Sequence, residues 1–193
     1  YTVTPRILDI LQEHNARATF FVLGNRVDNF PNIIQREYSQ GHEIGSHSFS
    51  HPQITTLTSD EIEYQFAETE HRIQQYVPYT TKLVRPPYGQ ITQSLKEVLQ
   101  KTFVLWSIDT QDWKTRDKDA IVSEVLNNVK DGDIILMHDM YSTTADACEE
   151  LIPALIERGY QLVTVSELLN AKEITPVAGS VYSRVLSTGN AAS

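Results

Sequence analysis

The sequence has a single cysteine, Cys148, so it cannot form an intrachain disulfide. It also lacks an apolar run of the roughly 18 residues that a membrane-spanning helix requires. Basic residues are in the minority, with 16 Lys and Arg against 25 Asp and Glu and a net charge of −9. This balance argues against nucleic acid or an anionic membrane surface as the main partner, and it favours a neutral or cationic substrate.

The length of 193 residues, with 40% hydrophobic content, suits one domain with a well-buried core. There is no signal peptide, and the first residue is Tyr1 rather than Met. We therefore expect that the natural beginning of the chain has been removed, so the missing signal says nothing about export. The periodicity fades from about Lys172, which predicts a domain over 1–171 and a mobile tail or linker over 172–193.

Short apolar segments alternate with longer segments of helical period along the chain. Several short segments are apolar at consecutive positions, as is typical of parallel strands that are buried on both faces. Repeated strand–helix units predict an α/β fold, either a parallel sheet or a barrel. The first element is a helix, so a further strand is expected just upstream of Tyr1. The predicted strands are 18–24, 42–47, 82–87, 103–109, 133–139 and 160–165. The predicted helices are 4–15, 31–41, 59–77, 93–101, 118–130 and 146–159.

Polar and reactive residues collect just after the ends of the predicted strands. In a (β/α) barrel this is the face that carries the active site. These residues are His47, Ser48, His51, Arg85, Tyr88, Asp109, Asp112, Trp113, His138 and Asp139.

His47 and His51 could ligate a metal ion, or they could be hydrogen-bonded loop histidines, which is the more frequent role of an isolated HxxxH pair. The HExxH class of metalloprotease is excluded, because Ser48 stands where that class has glutamate and Pro52 closes the segment. A catalytic metal usually takes three protein ligands and leaves one position open for water. The sequence offers no obvious third ligand.

Arg85 and His138 each have a structural and a catalytic interpretation. Arg85 could be a surface arginine that pairs with any carboxylate, or a rigid guanidinium that keeps a catalytic carboxylate ionised. His138 ends an apolar strand and could be a structural histidine. With an aspartate partner, it would instead suit general acid catalysis.

Taken in order, five segments resemble the NodB-homology polysaccharide deacetylases, carbohydrate esterase family 4. They are "ATFFVLG", "GHEIGSHSFSHP", "RPPYG", "DTQDW" and "LMHD". The resemblance runs from Tyr1 to about Asn170 and is nearest to the bacterial peptidoglycan N-acetylglucosamine deacetylases. It implies a distorted (β/α) barrel that removes acetyl groups from sugars with a divalent metal, usually Zn²⁺ and otherwise Co²⁺ or Ni²⁺.

The resemblance also implies roles for individual residues. His47 and His51 match the two metal-binding histidines. Arg85 matches the arginine that orients the catalytic base, and Tyr88 matches the residue whose backbone N–H helps to hold the oxyanion.

The remaining roles fall on the later segments. Asp112 matches the aspartate that tunes the catalytic histidine, and His138 matches that histidine. Trp113 and Leu136 match the apolar walls of the pocket that takes the acetyl methyl group.

The sequence departs from the family at its first motif, a strand ending in T-F-D-D-G-P. In the family, the first aspartate is the general base and the second is the third metal ligand. Nothing similar occurs in the 193 residues, although the spacing would place the motif a few residues before Tyr1. We expect the motif on a separate N-terminal fragment. The alternative is that the protein lacks both the base and the ligand.

The resulting expectation is metal-dependent deacetylation of N-acetylated sugars in a polysaccharide, with peptidoglycan N-acetylglucosamine as the preferred substrate. A chitin-oligomer deacetylase and an acetyl-xylan esterase of the same family are alternatives. A non-catalytic glycan-binding module on the same fold is an alternative of another class. A barrel glycosidase would need two carboxylates across the scissile bond. An extracellular or cell-wall location follows from the substrate class alone.

Overall fold

The computed structural model describes residues 2–186. They form two compact units, each built from separate stretches of the chain. The sheet unit contains 19–105 and 175–182, and the helical unit contains 2–18, 106–174 and 183–186. The fold is α/β, with parallel strand pairs and helices, as the alternating pattern predicts.

The boundaries of the elements follow the sequence pattern, although most strands are shorter than predicted. The strands are β1 Thr19–Val22, β2 Glu43–Ser46, β3 Leu83–Val84, β4 Thr102–Val104, β5 Ile108–Asp109, β6 Ile135–Leu136 and β7 Val181–Tyr182. The α-helices are α1 Val3–Glu13, α2 Gly24–Val27, α3 Pro31–Ser39, α4 Ser59–Gln74, α5 Gln93–Leu99, α6 Asp112–Thr115, α7 Lys118–Asn128, α8 Ser142–Glu157 and α9 Val165–Ala171.

The sheet unit is organised around a parallel sheet with the strand order β1-β2-β3-β4-β7. Its longest helix, α4, begins at a capping box, in which Thr58 and Glu61 each bond the other's backbone N–H. Buried apolar side chains from β3, β4, α4 and α5 form one core cluster. Its buried members are Ile54, Ile62, Phe66, Val84, Leu95 and Phe103.

The helical unit has a two-stranded parallel sheet, β5 with β6, and packs α7 against α8 and α8 against α1. Its core cluster consists of Ile108, Ile121, Val122, Val125, Ala147, Leu151 and Leu155. Cys148 is buried on α8, and burial raises the pKa of its thiol to about 12. Cys148 therefore packs as an apolar residue of α8.

Three details differ from the prediction. Within residues 2–186 the strands pair in two separate sheets, so they do not close a barrel. Residues 160–164 form no strand. The predicted tail contains β7, which pairs with β4, and Val185, which is 1% exposed and donates its N–H to the Gly132 carbonyl. This stretch is therefore packed rather than mobile. The rest of the predicted tail, 187–193, lies outside the described residues.

No helix in the described part of the chain is both long and apolar enough to cross a membrane.

Candidate active site

His47 and His51 lie in a tight turn that follows β2. His47 continues the strand pairing, since its N–H donates to the Val22 carbonyl at 2.9 Å. The chain then reverses through left-handed backbone at Ser48 (φ 72°) and His51 (φ 59°), and the His51 N–H donates to Ser48 Oγ at 3.0 Å. The two imidazole rings meet edge to face, with centroids 4.9 Å apart. The turn therefore brings both predicted ligands together.

Gln65 of α4 holds this turn in place. Its Oε1 accepts the backbone N–H groups of Phe49 at 3.0 Å and Ser50 at 2.9 Å. These two donors lie between the histidines and would otherwise need water or another partner. The role of Gln65 could not be predicted from the sequence, because its position on a helix gives no sign of a long-range contact.

The carbonyl oxygen of Arg85 fixes the orientation of the His47 ring. His47 Nδ1 lies 2.5 Å from this oxygen. Because a carbonyl can only accept, Nδ1 carries the proton and Nε2 carries the lone pair. A histidine ligand whose second nitrogen donates to a backbone carbonyl is the usual arrangement around a protein-bound metal.

The side chain of Arg85 is held by the sheet unit. Its guanidinium lies over the ring of Phe21, 4.3 Å from the centroid, and donates to the carbonyl of Leu105 at 3.1 Å. Burial lowers the pKa of Arg85 to about 10, so the side chain remains charged at neutral pH. Its proposed role towards a catalytic base stays a prediction.

Tyr88 lies beside the histidine turn. It has left-handed backbone (φ 58°), and its exposed ring meets the ring of His51 edge to face at 4.7 Å. The sheet unit therefore groups four of the predicted site residues: His47, His51, Arg85 and Tyr88.

Asp112 and His138 form a hydrogen-bonded pair in the helical unit. His138 Nδ1 lies 2.8 Å from Asp112 Oδ1, and the His138 backbone N–H donates to Asp112 Oδ2 at 2.6 Å. The carboxylate accepts a hydrogen bond from the Nδ1–H group, which leaves Nε2 as the ring nitrogen that can exchange a proton with a substrate. Asp112 is fully buried, whereas the His138 side chain is 34% exposed. The pair has the geometry that the sequence predicts for an oriented acid.

Thr144, in the first turn of α8, completes the surroundings of Asp112. Its hydroxyl donates to Asp112 Oδ2 at 2.8 Å, and the Trp113 N–H donates to Oδ1 at 2.9 Å. Burial acts to raise the pKa of Asp112, but the bonds from His138 and Thr144 outweigh it and hold that pKa below its ordinary value. Thr144 was missed because the apolar pattern places the start of α8 at Asp146, four residues late.

The two predicted walls of the acetyl pocket lie in the same unit but differ in exposure. Trp113 is 47% exposed on α6, whereas Leu136 is 7% exposed on β6. The Leu136 carbonyl accepts the hydroxyl of the buried Thr110 at 2.8 Å, which ties the end of β5 to β6. Their part in a pocket stays a prediction.

The donor set suits a divalent ion of the zinc, cobalt or nickel type, for which imidazole is a preferred ligand. His47 and His51 provide two such donors in contact, one of them oriented by a carbonyl. Across residues 2–186, however, no three His, Cys, Asp or Glu side chains are grouped to hold an ion. The residues present therefore fit two of the three protein ligands that a hydrolytic metal normally takes.

The comparison with protein families gives a match over residues 1–104 to the family described as polysaccharide deacetylase. That match covers more than half of the chain. The chain belongs to the polysaccharide deacetylase family. Membership confirms the family that the five segments indicate, including the fold type.

Individual relatives extend the polysaccharide deacetylase match through the helical unit. The chain is 45% identical over 170 residues to the peptidoglycan-N-acetylmuramic acid deacetylase PdaC of Bacillus subtilis, covering 88% of this chain and 36% of PdaC. It is 39% identical over 171 residues to the peptidoglycan-N-acetylglucosamine deacetylase PgdA of Listeria monocytogenes, covering 89% of this chain and 37% of PgdA. The chain thus spans little more than a third of the length of these relatives.

A solved member of the polysaccharide deacetylase fold, a family 4 acetyl xylan esterase from Clostridium thermocellum, was determined with a cobalt ion. It superimposes with a TM-score of 0.90 at 35% identity, covering 95% of this chain and 92% of the esterase.

Proposed function

We propose that this chain provides the metal-binding histidines and the acid catalyst of a deacetylase that hydrolyses N-acetyl groups of peptidoglycan sugars, with N-acetylglucosamine as the substrate sugar. The observation that carries the proposal is the Asp112–His138 pair in a member of the polysaccharide deacetylase family. A buried carboxylate that orients an exposed imidazole is the arrangement that proton delivery requires.

His138 is the general acid in this proposal. Asp112 fixes the ring through Nδ1, so the proton that leaves is the one on Nε2. It goes to the sugar nitrogen as the C–N bond breaks, because an unprotonated amine is a very poor leaving group. Trp113 and Leu136 exclude acyl groups larger than acetyl, by a factor of roughly 10–200 per methylene.

His47 and His51 hold the metal ion in this proposal. When bound, a divalent ion such as Zn²⁺, Co²⁺ or Ni²⁺ supplies polarisation of the amide carbonyl and acidification of water. The Tyr88 backbone N–H donates to the oxygen that becomes negative, and the loss of one such donor typically costs about 10²–10³ in rate. Arg85 keeps the carboxylate base ionised and oriented.

The base and the third ligand are the parts that this sequence does not provide. The family's Asp-Asp motif has no counterpart in the 193 residues. Turnover in this proposal therefore requires the motif to be supplied, and the 193-residue polypeptide alone releases little acetate.

Peptidoglycan is the proposed polymer because both curated relatives described above are peptidoglycan deacetylases, one acting on N-acetylmuramic acid and the other on N-acetylglucosamine. An extracellular or cell-wall location follows from that substrate. The structural similarity to an acetyl xylan esterase makes acetylated xylan the first competing substrate to test, ahead of chitin oligomers.

A non-catalytic glycan-binding module is the second candidate. It is favoured by one observation, the absence of a three-ligand group in the part of the chain that the structure describes. Such a module would bind glycan without metal and would release no acetate even when the motif is supplied.

Acetate release separates the two candidates. The 193-residue chain and a version with a T-F-D-D-G-P strand fused before Tyr1 are incubated with peptidoglycan, chitin oligomers and acetylated xylan, with Zn²⁺ or with a chelator. We expect zinc-dependent release from peptidoglycan by the fused version, and loss of that release in His138→Ala. No release by the fused version from any of the polymers would support the binding module.

A further inference from the structure

Arg116 lies one helical turn after Asp112 and is held by three contacts, one of its backbone and two of its side chain. It terminates α6, and its backbone N–H donates to the Asp112 carbonyl at 3.2 Å. Its Nε–H donates to the Trp113 carbonyl at 3.4 Å. Its guanidinium stacks on the ring of Tyr141, with Cζ 3.9 Å from the centroid. Since Tyr141 follows His138 by three residues, Arg116 is tied both to the helix of Asp112 and to the segment that carries the acid.

The charge of Arg116 is not neutralised by a carboxylate of the described residues, although the sequence has a surplus of acidic groups. Arg6, Arg17 and Arg184 each form an ion pair with an Asp or Glu. Among residues 2–186, the hydrogen-bond and ring partners of the Arg116 side chain are the Trp113 carbonyl and the Tyr141 ring. Stacking on an aromatic ring uses the flat face of a guanidinium and leaves its terminal N–H groups directed outward, in the fork that matches a carboxylate.

The backbone at Arg116 is strained. Its φ of 51° lies in the left-handed region, where glycine or asparagine would be accommodated more easily. The Arg116 side chain is exposed, and its long stem lets the guanidinium reach the Tyr141 ring.

The neighbouring surface is suited to a sugar. Trp113 is 47% exposed and Met140 is 66% exposed, and both are close in sequence to residues of the acid pair. Exposed aromatic and thioether groups offer apolar area to the C–H face of a pyranose, whereas the guanidinium offers charge. A neutral polymer could pack on the apolar groups, but it would have no charged group for the guanidinium to bind.

We propose that Arg116 is a substrate-binding residue that recognises a carboxylate of the glycan next to the acetamido group under attack. This proposal rests on the proposed function, and it makes the substrate class an acidic, N-acetylated glycan. Two sources carry this chemistry: a lactyl ether on the sugar ring and a peptide attached to it. The net charge of −9 by itself favours a neutral or cationic substrate, but charges beyond about 8 Å are screened at physiological salt, so a local cation such as Arg116 can still bind a carboxylate.

Binding tests the proposal without requiring turnover. The full 193-residue chain is titrated by NMR with three oligosaccharides of equal length: a neutral N-acetylglucosamine oligomer, an oligomer with lactyl groups on alternate sugars, and the same oligomer with attached peptides. Arg116→Gln should weaken binding of a carboxylated oligomer by about tenfold, the usual value of one charged hydrogen bond, and leave the neutral oligomer unchanged. A loss already seen without peptides identifies the lactyl group as the source, whereas a loss confined to the third oligomer identifies the peptide.

Two further variants separate charge and folding from recognition. Lys114→Gln removes the same charge from the same helix without disturbing the stack, and it should change affinity by less than about twofold. Arg116→Gly removes both side chain and strain, so its melting temperature should not fall while its binding of acidic glycan does. Equal losses for neutral and acidic oligomers, no loss in Arg116→Gln, or no binding of any oligomer would overturn the proposal.

A failure of the proposed function would be seen separately. A fused protein that releases no acetate would refute deacetylation and leave the binding comparison unaffected.

Discussion

A carboxylate without any exposed surface stays ionised only if its oxygens accept hydrogen bonds in place of water. Asp112 meets this requirement with four donors: the His138 ring, the His138 backbone, the Thr144 hydroxyl and the Trp113 N–H. The same bonds that orient the His138 ring therefore stabilise the fold. If His138 is the acid of the proposed function, function and stability are coupled at Asp112.

Asp112→Asn should destabilise the protein at pH 7 by about 2–3 kcal/mol, because an amide nitrogen replaces one charged acceptor and leaves a buried donor without a partner. The measurement is urea unfolding. Asp109→Asn is the matched control, since Asp109 accepts a single backbone N–H, that of Gln111, and it should cost less than about 1 kcal/mol.

The destabilisation caused by Asp112→Asn should depend on pH in a direction that the pKa of Asp112 determines. The pKa of Asp112 is lower in the folded protein than its ordinary 3.8, so folding favours the ionised form. The stabilisation is complete above pH 3.8 and is lost as the pH falls through the folded-state pKa. The difference between wild type and Asp112→Asn should therefore shrink on acidification below 3.8, and a difference that stays constant there would contradict the assignment.

The grouping of polar side chains was predictable from the sequence where they follow a strand, because the end of a parallel strand fixes where a side chain lies. The pairing of Asp112 with His138 is of this kind. The contacts of Thr144 and Gln65 were not predictable, since they cross 32 and 15 positions of the chain and leave no local pattern.

At the scale of elements, the register of β1 and β2 explains how Arg85 is supported. Phe21 lies directly opposite Gly45 in the parallel pair, and the absence of a side chain at Gly45 leaves room for the Phe21 ring. That ring in turn lies under the guanidinium of Arg85. Gly45 on β2, the Phe21 ring on β1 and the Arg85 guanidinium just after β3 therefore pack in one stack.

Gly45→Ala should disturb this stack. An added Cβ would lie 2.5 Å from the Phe21 ring, so the ring or the strand must move. We expect destabilisation of about 1–3 kcal/mol, as for other overpacked cores, measured by thermal or urea unfolding. Adding Phe21→Leu to Gly45→Ala should recover part of the loss, and a double variant no more stable than Gly45→Ala would show that the clash is not with Phe21.

Element type was predictable where the pattern is long, and element pairing was not. The six predicted helices correspond to α1, α3, α4, α5, α7 and α8 in the structure. The segment 160–165 has the apolar content of a strand, but it passes into Thr164, which caps α9 with Glu167. Apolar periodicity reports burial, whereas a strand also needs a hydrogen-bonded neighbour. The short strand β7 has the neighbour without the apolar run.

At the scale of the whole molecule, the residues to which the proposed function gives chemical roles lie on two units. The sheet unit holds the histidine turn with Arg85 and Tyr88, and the helical unit holds the Asp112–His138 pair with Arg116. Family membership and these groups were both predictable, because the motifs are short and ordered. The substrate was not, because the residues that choose a polymer lie on loops without a shared pattern.

Zinc binding should show how much of the metal site the chain contains. Two imidazoles give weak binding, and a zinc concentration equal to the dissociation constant of that site should raise the free energy of unfolding by about 0.4 kcal/mol. Fusion of a T-F-D-D-G-P strand should supply a third ligand, and if it tightens binding about a hundredfold, the same zinc concentration should add about 2.7 kcal/mol. Urea unfolding with zinc and with a chelator measures both values.

His51→Ala is the control for this measurement, since it removes one ligand from the turn and should abolish the zinc effect in both proteins. Strong zinc stabilisation of the unfused chain that disappears in His51→Ala would mean that this sequence holds a third ligand unlike the family's aspartate. Strong stabilisation that survives in His51→Ala would place the metal elsewhere and remove His47 and His51 from the mechanism. Only weak, His51-dependent stabilisation that the fused strand strengthens agrees with a site in which two ligands lie on this chain and the third must be supplied.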